Sequence, residues 1–413
     1  MTHATARELL EQIVGVGRDA RRGGYSRHVF EPAETELRAW FAARARELGL
    51  TVETDRNANI WAWWGAPGPG ALVTGSHLDS VPGGGAHDGP LGVVSALDAV
   101  GRLRESGFTP SRPLAIVVFA EEEGSRFGVA CLGSRLPSGA ISPGRAGRLT
   151  DAAGRTFAEV AAAAGYPDIG RDDVARERIG LFLELHVEQG RALADLGSPI
   201  AVGASILEHG RWRIEVHGHG NHAGTTAIPD RRDPMLPSAL AVLAARDAAA
   251  ARSGARATIG RFEPVPGGTN VIASRVTSWL DVRADTPQDT RGIVDDVRRA
   301  VEDAAADEGC QVAVSEESYS AEVRFDAALR DRLLAVLADA GFGSVPVLPT
   351  GAGHDAGVLA AVVPTAMLFV RNPSGVSHAP EERADDDAID AGVDALVAAI
   401  RGLAGDAGGR LAG

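Results

Sequence analysis

The chain has 413 residues, more than the roughly 250–300 at which a single core stops growing, so two domains are expected. A hydrophobic content of 45% supports well-packed cores, while a formal charge of −14 argues against nucleic acid or an anionic membrane as a partner. All 41 strongly basic residues are arginine; without lysine there is no Schiff-base lysine, no phosphate-loop lysine and no carboxylated lysine bridging two metals.

Cys131 and Cys310 lie far apart and form no pair motif, so a reduced cytoplasm fits and a cysteine-built metal site does not. Met1 to Gly17 lacks the basic start and unbroken apolar stretch of a signal peptide, and no run is long and apolar enough to span a bilayer. The expectation is a soluble cytoplasmic protein.

In chain order, apolar residues recur at helical spacing from Ala4 to Val14 and from Pro32 to Leu48, predicting two amphipathic helices. Thr51 to Thr54, Ile60 to Trp64 and Ala71 to Gly75 are short, rich in valine and tryptophan, and divided by Asn, Gly and Pro, as strands are. Leu91 to Glu105 reads as a helix after the Asp88-Gly89-Pro90 turn; Leu114 to Ala120 and Leu181 to Leu185 read as apolar, buried strands. The alternation implies an α/β domain, a mostly parallel sheet with helices on both faces, its chemistry in loops at the carboxyl ends of strands.

Near Glu208 the character changes. Arg211 to Val216 alternates as a strand, Pro234 to Ala251 is an alanine-rich helix, Thr258 to Phe262 and Thr277 to Arg283 are a strand pair, Gly292 to Ala306 is a helix and Gln311 to Ser315 a last strand. That order is the ferredoxin-like split arrangement. The chain then resumes with a helix, the strand Thr365 to Val370 and a final helix, Ala388 to Leu403, before an alanine-glycine tail from Gly402 expected to fray. Residues 1–208 with 322–413 therefore form the larger domain, and 209–321 an inserted smaller one.

Several strand ends carry metal-binding side chains. His77 follows Ala71 to Val73, with Asp79 two residues on as a carboxylate to orient its second ring nitrogen. Asp88, in a glycine-rich loop, can offer one oxygen to each of two ions. Glu121, Glu122 and Glu123 follow another strand; adjacent residues there point in different directions, so one can bind metal while its neighbour faces the nucleophilic water. His186 and His378 follow further apolar strands. A lone histidine is by default structural or solvated, but His77, Asp88, Glu123, His186 and His378 together make a nitrogen and oxygen donor set without sulfur, suited to zinc or manganese.

The chain resembles the hydantoinase/carbamoylase branch of the M20 metallopeptidase family: N-carbamoyl-L-amino acid hydrolases, beta-ureidopropionases and allantoate amidohydrolases. The likeness is carried by Gly75-Ser76-His77-Leu78-Asp79-Ser80-Val81, Asp88-Gly89-Pro90-Leu91-Gly92-Val93, Glu122-Glu123-Gly124-Ser125-Arg126-Phe127, Glu184-Leu185-His186-Val187-Glu188-Gln189-Gly190, Asn221-His222-Ala223-Gly224-Thr225-Thr226, Asn270-Val271-Ile272, Gly351-Ala352-Gly353-His354-Asp355-Ala356 and Ser377-His378. It implies two divalent ions per subunit, zinc or manganese with cobalt or nickel as alternatives, held by His77, Asp88, Glu123, His186 and His378, with Asp88 as the bridge. It further implies a metal-bridging water with Glu122 as general base, Asp79 beside it, and His222 stabilising the oxyanion. Gln189, His222, Asn270, Arg283 and Gly351 match positions that hold substrate, and a guanidinium such as Arg283 suits the carboxylate of a ureido acid. His186 stands where the peptidases typically carry an acid, favouring ureido acids. The inserted domain would act as lid and homodimer interface, closing over the substrate.

Three departures stand out: His87 replaces an aromatic and is read as a neutral replacement, Glu121 replaces Asn or Asp and is read as a bystander, and Ala227-Ile228-Pro229-Asp230 replaces a common Pro-Met. His209, His217 and His219 are read as solvated. The rival readings are a di-metal dipeptidase or aminoacylase on the same scaffold and a metal-bound binding protein without turnover. A cyclic amidohydrolase barrel lacks its bridging lysine here.

Overall fold

The computed structural model describes residues 3–170 and 177–405 of the chain. The tail beyond residue 405 lies outside them, but the helix Asp386–Ala404 runs through Gly402, so fraying does not begin there. Two compact units result: Met1–Ser205 with Arg324–Gly413, and Ile206–Val323 against the 209–321 read from sequence.

In the first unit, Thr51–Thr54, Ile60–Trp64, Leu114–Phe119, Ala71–His77, Ile179–Val187, Thr365–Val370 and Ile200–Ile206 lie side by side in that order. The middle strands from Leu114–Phe119 to Thr365–Val370 run parallel, with antiparallel neighbours outside them. Leu114–Phe119 and Thr365–Val370 are buried along their whole length, which is why they carry no polar alternation. Ile60, Leu72, Ile116 and Leu183 face one core with the helices; Trp61, Trp63, Phe119 and Phe182 alternate to the other face, where their rings contact one another.

The helix Pro90–Glu105 is buried along almost all of its length and packs against Ala6–Ile13 and Asp386–Ala404. Gly92 lets it approach the sheet: a Cβ there would stand 2.3 Å from the Leu185 carbonyl oxygen and 2.8 Å from Ser76 Cβ. Sequence therefore fixes this helix directly over the strands that carry His77 and His186.

In the second unit, Gln311–Ser320, Glu208–His217, Arg275–Ala284 and Arg256–Val265 form an antiparallel sheet in that order. Numbered along the chain this is 4-1-3-2, the ferredoxin-like order. Helices Met235–Ala250 and Pro287–Asp307 pack on it, Ala241, Ala245, Ile293 and Val297 against Trp212, Ile214 and Leu280. His209 is half-buried with Nδ1 3.3 Å from the Leu207 carbonyl oxygen, which corrects its reading as solvated; His217 and His219 are exposed.

Candidate metal centre

Because the four middle strands are parallel, their carboxyl ends share one edge, and the loops leaving them meet there. His77 ends its strand opposite Phe119, just before Glu121, Glu122 and Glu123; His186 pairs in register with Phe369 of the strand that precedes His378. The turn at Gly89 has φ 82°, and a Cβ there would lie 2.5 Å from the His77 ring, so only glycine brings Asp88 back over the imidazole.

Asp88 sits between two groups. Its Oδ1 is 3.2 Å from His186 Nε2 and 3.6 Å from His77 Nε2; its Oδ2 is 3.2 Å from His378 Nε2, which is 3.4 Å from Glu123 Oε2. In each trio, His77-Asp88-His186 and Asp88-Glu123-His378, the donor atoms lie within 4.8 Å of one another. His77 Nδ1 donates to the Asp79 carbonyl oxygen (3.1 Å) and His186 Nδ1 to the Val187 carbonyl oxygen (2.9 Å). With the proton on Nδ1, each Nε2 presents a lone pair. Both Nε2 atoms are buried without a hydrogen-bond partner, as ligand atoms facing a cation would be. These residues fit a pair of divalent ions.

The same pocket favours positive charge, whether a second proton on an imidazole or a cation in its place. Burial opposes charging the imidazoles, yet the carboxylates of Asp88 and Glu184 carry His186 up to about 9, and Glu122, Asp79 and Asp88 carry His77 well up. The hydrogen bond to Asp88 likewise lifts His378 to about 9. Burial alone would raise Asp88, but His186, His378 and His77 hold it well below the usual carboxylate range. Burial pushes Glu122 up to about 7, against the pull of His77 and reinforced by Asp79. So many buried carboxyl groups around one point favour positive charge there.

The model of peptidase family M20/M25/M40 matches residues 73–402, most of the chain. The chain belongs to this family. This M20 protein is similar to the N-carbamoyl-L-amino acid amidohydrolase of Geobacillus stearothermophilus, 32% identical over 406 residues that cover 96% of this chain and 98% of the relative. It is also similar to the allantoate amidohydrolase of Escherichia coli (strain K12), 30% identical over 404 residues, 96% and 97% of the two chains. An amidase of the hydantoinase/carbamoylase family from Burkholderia multivorans, solved by crystallography, matches with a TM-score of 0.85 at 29% identity over 98% of both chains. The branch resemblance read from the sequence words holds.

Several M20 residues act one layer out. Asp79 accepts the backbone N–H groups of Glu122 (3.2 Å) and Glu123 (3.1 Å), while its carboxylate stays 3.5 Å from His77 Nδ1. The carboxylate thus fixes the glutamate pair, and its backbone carbonyl, not the expected carboxylate, orients the histidine. Glu121 is no bystander: fully buried at φ 53°, it accepts the N–H groups of Arg126 (3.0 Å) and Phe127 (2.7 Å) and closes the loop.

Sequence reasoning missed three supports. Glu382 accepts the N–H groups of His87 and Asp88. Glu184 accepts from Ser76 Oγ and the Ala356 N–H, both at 2.9 Å. His354 sets its ring against His186 with centroids 4.5 Å apart; burial, then the neighbouring imidazole, keep it well below its ordinary value and so neutral. A signal was present, since His354 and Glu184 both fall inside quoted family words.

Of the expected substrate residues, the first unit holds Gln189 and Gly351, and Gln189 Nε2 donates to Asp88 Oδ2 at 2.8 Å. The second unit holds His222, Asn270 and Arg283. There the short strands Asn221–His222 and Val271–Ile272 pair, and the Ala223 N–H donates to the Asn270 carbonyl oxygen, so His222 and Asn270 are neighbours. Arg283 Nε donates to Asp281 Oδ1 at 3.1 Å.

Proposed function

We propose that this M20 protein hydrolyses a C–N bond of a ureido acid, an N-carbamoyl-L-amino acid or allantoate. The observation that carries the reading is Asp88, whose Oδ1 lies near His77 and His186 and whose Oδ2 lies near His378, itself close to Glu123, beside the buried Glu122. His77, Asp88 and His186 would hold one divalent ion and Asp88, Glu123 and His378 the other, zinc or manganese by donor type. When bound, such ions supply an acidified water and a polarised carbonyl.

Glu122 takes the proton of the attacking water and returns it to the leaving nitrogen, with Asp79 holding the Glu122–Glu123 backbone in place. His222 is assigned the stabilisation of the developing oxyanion, Gln189, Asn270 and Gly351 the orientation of the substrate, and Arg283 the clamping of its carboxylate. An N-carbamoyl amino acid plus water gives the amino acid, carbon dioxide and ammonia; allantoate gives ureidoglycine, carbon dioxide and ammonia.

The unit Ile206–Val323 is assigned to homodimer formation and to covering the substrate. The helix Met235–Ala250 supports the pairing, for it exposes Leu236, Leu240 and Leu243 along one stripe. Among the described residues no helix is long and apolar enough to cross a membrane. With two free cysteines as support, the protein is assigned to the cytoplasm.

An ammonia-release screen of the metal-loaded protein over allantoate, N-carbamoyl-L-amino acids, N-carbamoyl-beta-alanine and dipeptides tests the reading. Ammonia from a ureido acid is expected. Amino acids released from dipeptides, without ammonia from any ureido acid, would replace the reading with a dipeptidase.

A further inference from the structure

The loop that leaves Glu122 returns to it at Cys131. This residue is buried, adopts a left-handed backbone (φ 56°) and donates its N–H to the Glu122 carbonyl oxygen at 2.6 Å. Its Sγ lies 3.1 Å from Glu122 Oε1, while Glu122 Oε2 points the other way, 3.6 Å from His77 Nε2. The two oxygens of one carboxylate are therefore in different surroundings: one is tied to a thiol, the other is turned toward the ligand side. Burial, then the carboxyl groups of Glu122 and Asp355, push the thiol well up, so the sulfur keeps its proton and serves as a donor.

We infer that Cys131 is a positioning residue for turnover: its S–H fixes the Glu122 carboxylate in the orientation that presents Oε2 to the reacting water. The inference rests on the reading of Glu122 as the base. A thiol is a weak donor, but losing the contact loosens the orientation of the base, and misalignment costs rate without costing substrate affinity.

The test separates donation from packing. Cys131→Ala removes the donor and Cys131→Ser restores one, with the same demand on the backbone. The expected result is a kcat lower by about tenfold in Cys131→Ala, with KM and bound metal unchanged, and recovery of most of the loss in Cys131→Ser. Equal losses in both variants would assign Cys131 to packing and overturn the inference.

A second readout needs neither metal nor turnover. In a Cys310→Ser background Cys131 is the sole thiol, so its infrared S–H stretch can be followed alone. The band should lie at the lower frequency of a hydrogen-bonded thiol and move to the free-thiol position when Glu122→Ala is added. A band indifferent to that change would overturn the inference. A wild-type enzyme inactive on every ureido acid rejects the functional reading and the positioning role with it; an active enzyme indifferent to Cys131→Ala rejects the positioning role alone.

Discussion

Glu382 Oε1 accepts the backbone N–H of Asp88 at 2.9 Å. The contact reaches across nearly 300 residues of chain, from the loop after the strand Thr365–Val370 to the loop between the strand Ala71–His77 and the helix Pro90–Glu105, and it fixes where Asp88 presents its two oxygens. Space around it is tight, since a Cβ at Gly85 would stand 2.3 Å from the same oxygen. Loss of such an outer contact commonly weakens metal binding by 10–100-fold. Glu382→Ala should lower cation affinity by about that factor, and Glu382→Gln, which keeps an acceptor oxygen, by much less; titration against a chelating dye measures both. Equal affinity in wild type and Glu382→Ala would remove this residue from the account.

Gly92→Ala tests how closely the helix must approach the sheet. Its new methyl group would meet the Leu185 carbonyl oxygen, which is backbone and cannot swing aside. Overpacking of this kind costs roughly 1–3 kcal/mol. Urea denaturation should show a loss in that range, and a midpoint equal to wild type would mean that the helix has room to spare.

His87 makes stability depend on pH. Burial of its ring holds it down to about 4, with Asp386 and Glu382 pulling the other way, and Arg7, Glu11 and Arg27 also line the small cavity of about 160 Å³ beside it. In the unfolded chain a histidine takes its proton near 6.5. Between 6.5 and about 4 the unfolded state binds a proton that the folded state refuses, so stability falls as the solution is acidified through that window. Above it, this residue contributes no slope. His87→Phe should flatten the curve relative to wild type by up to about 3 kcal/mol at the acidic end. Parallel curves for the two proteins would show that the ring is protonated as readily folded as unfolded.

What could be read from the chain alone follows the range of each interaction. His77 and His186 lie at the carboxyl ends of apolar strands and Glu123 and His378 in the loops that follow two others, a local pattern, and parallel strands necessarily bring their ends to one edge. Glu382 and Cys131 act through contacts with a distant segment or a returning loop, and nothing in their immediate neighbours announces that. Glu121 was misread for the same reason: its acceptor role depends on a loop that doubles back on itself. The strand Ile200–Ile206 went unmarked because Gly203 and Ser205 break its apolar run. In the fold Gly203 lies where Phe325 and the Met367 side chain crowd in, with Met367 Cβ 3.0 Å from the site of a Cβ.

In the proposed mechanism Asp88 joins two cation sites, which anomalous diffraction from crystals grown with zinc or manganese would reveal. Two peaks per chain are expected: one at about 2.0–2.2 Å from Asp88 Oδ1, His77 and His186, the other at bonding distance from Asp88 Oδ2, Glu123 and His378. A single peak, or peaks away from Asp88, would contradict that mechanism.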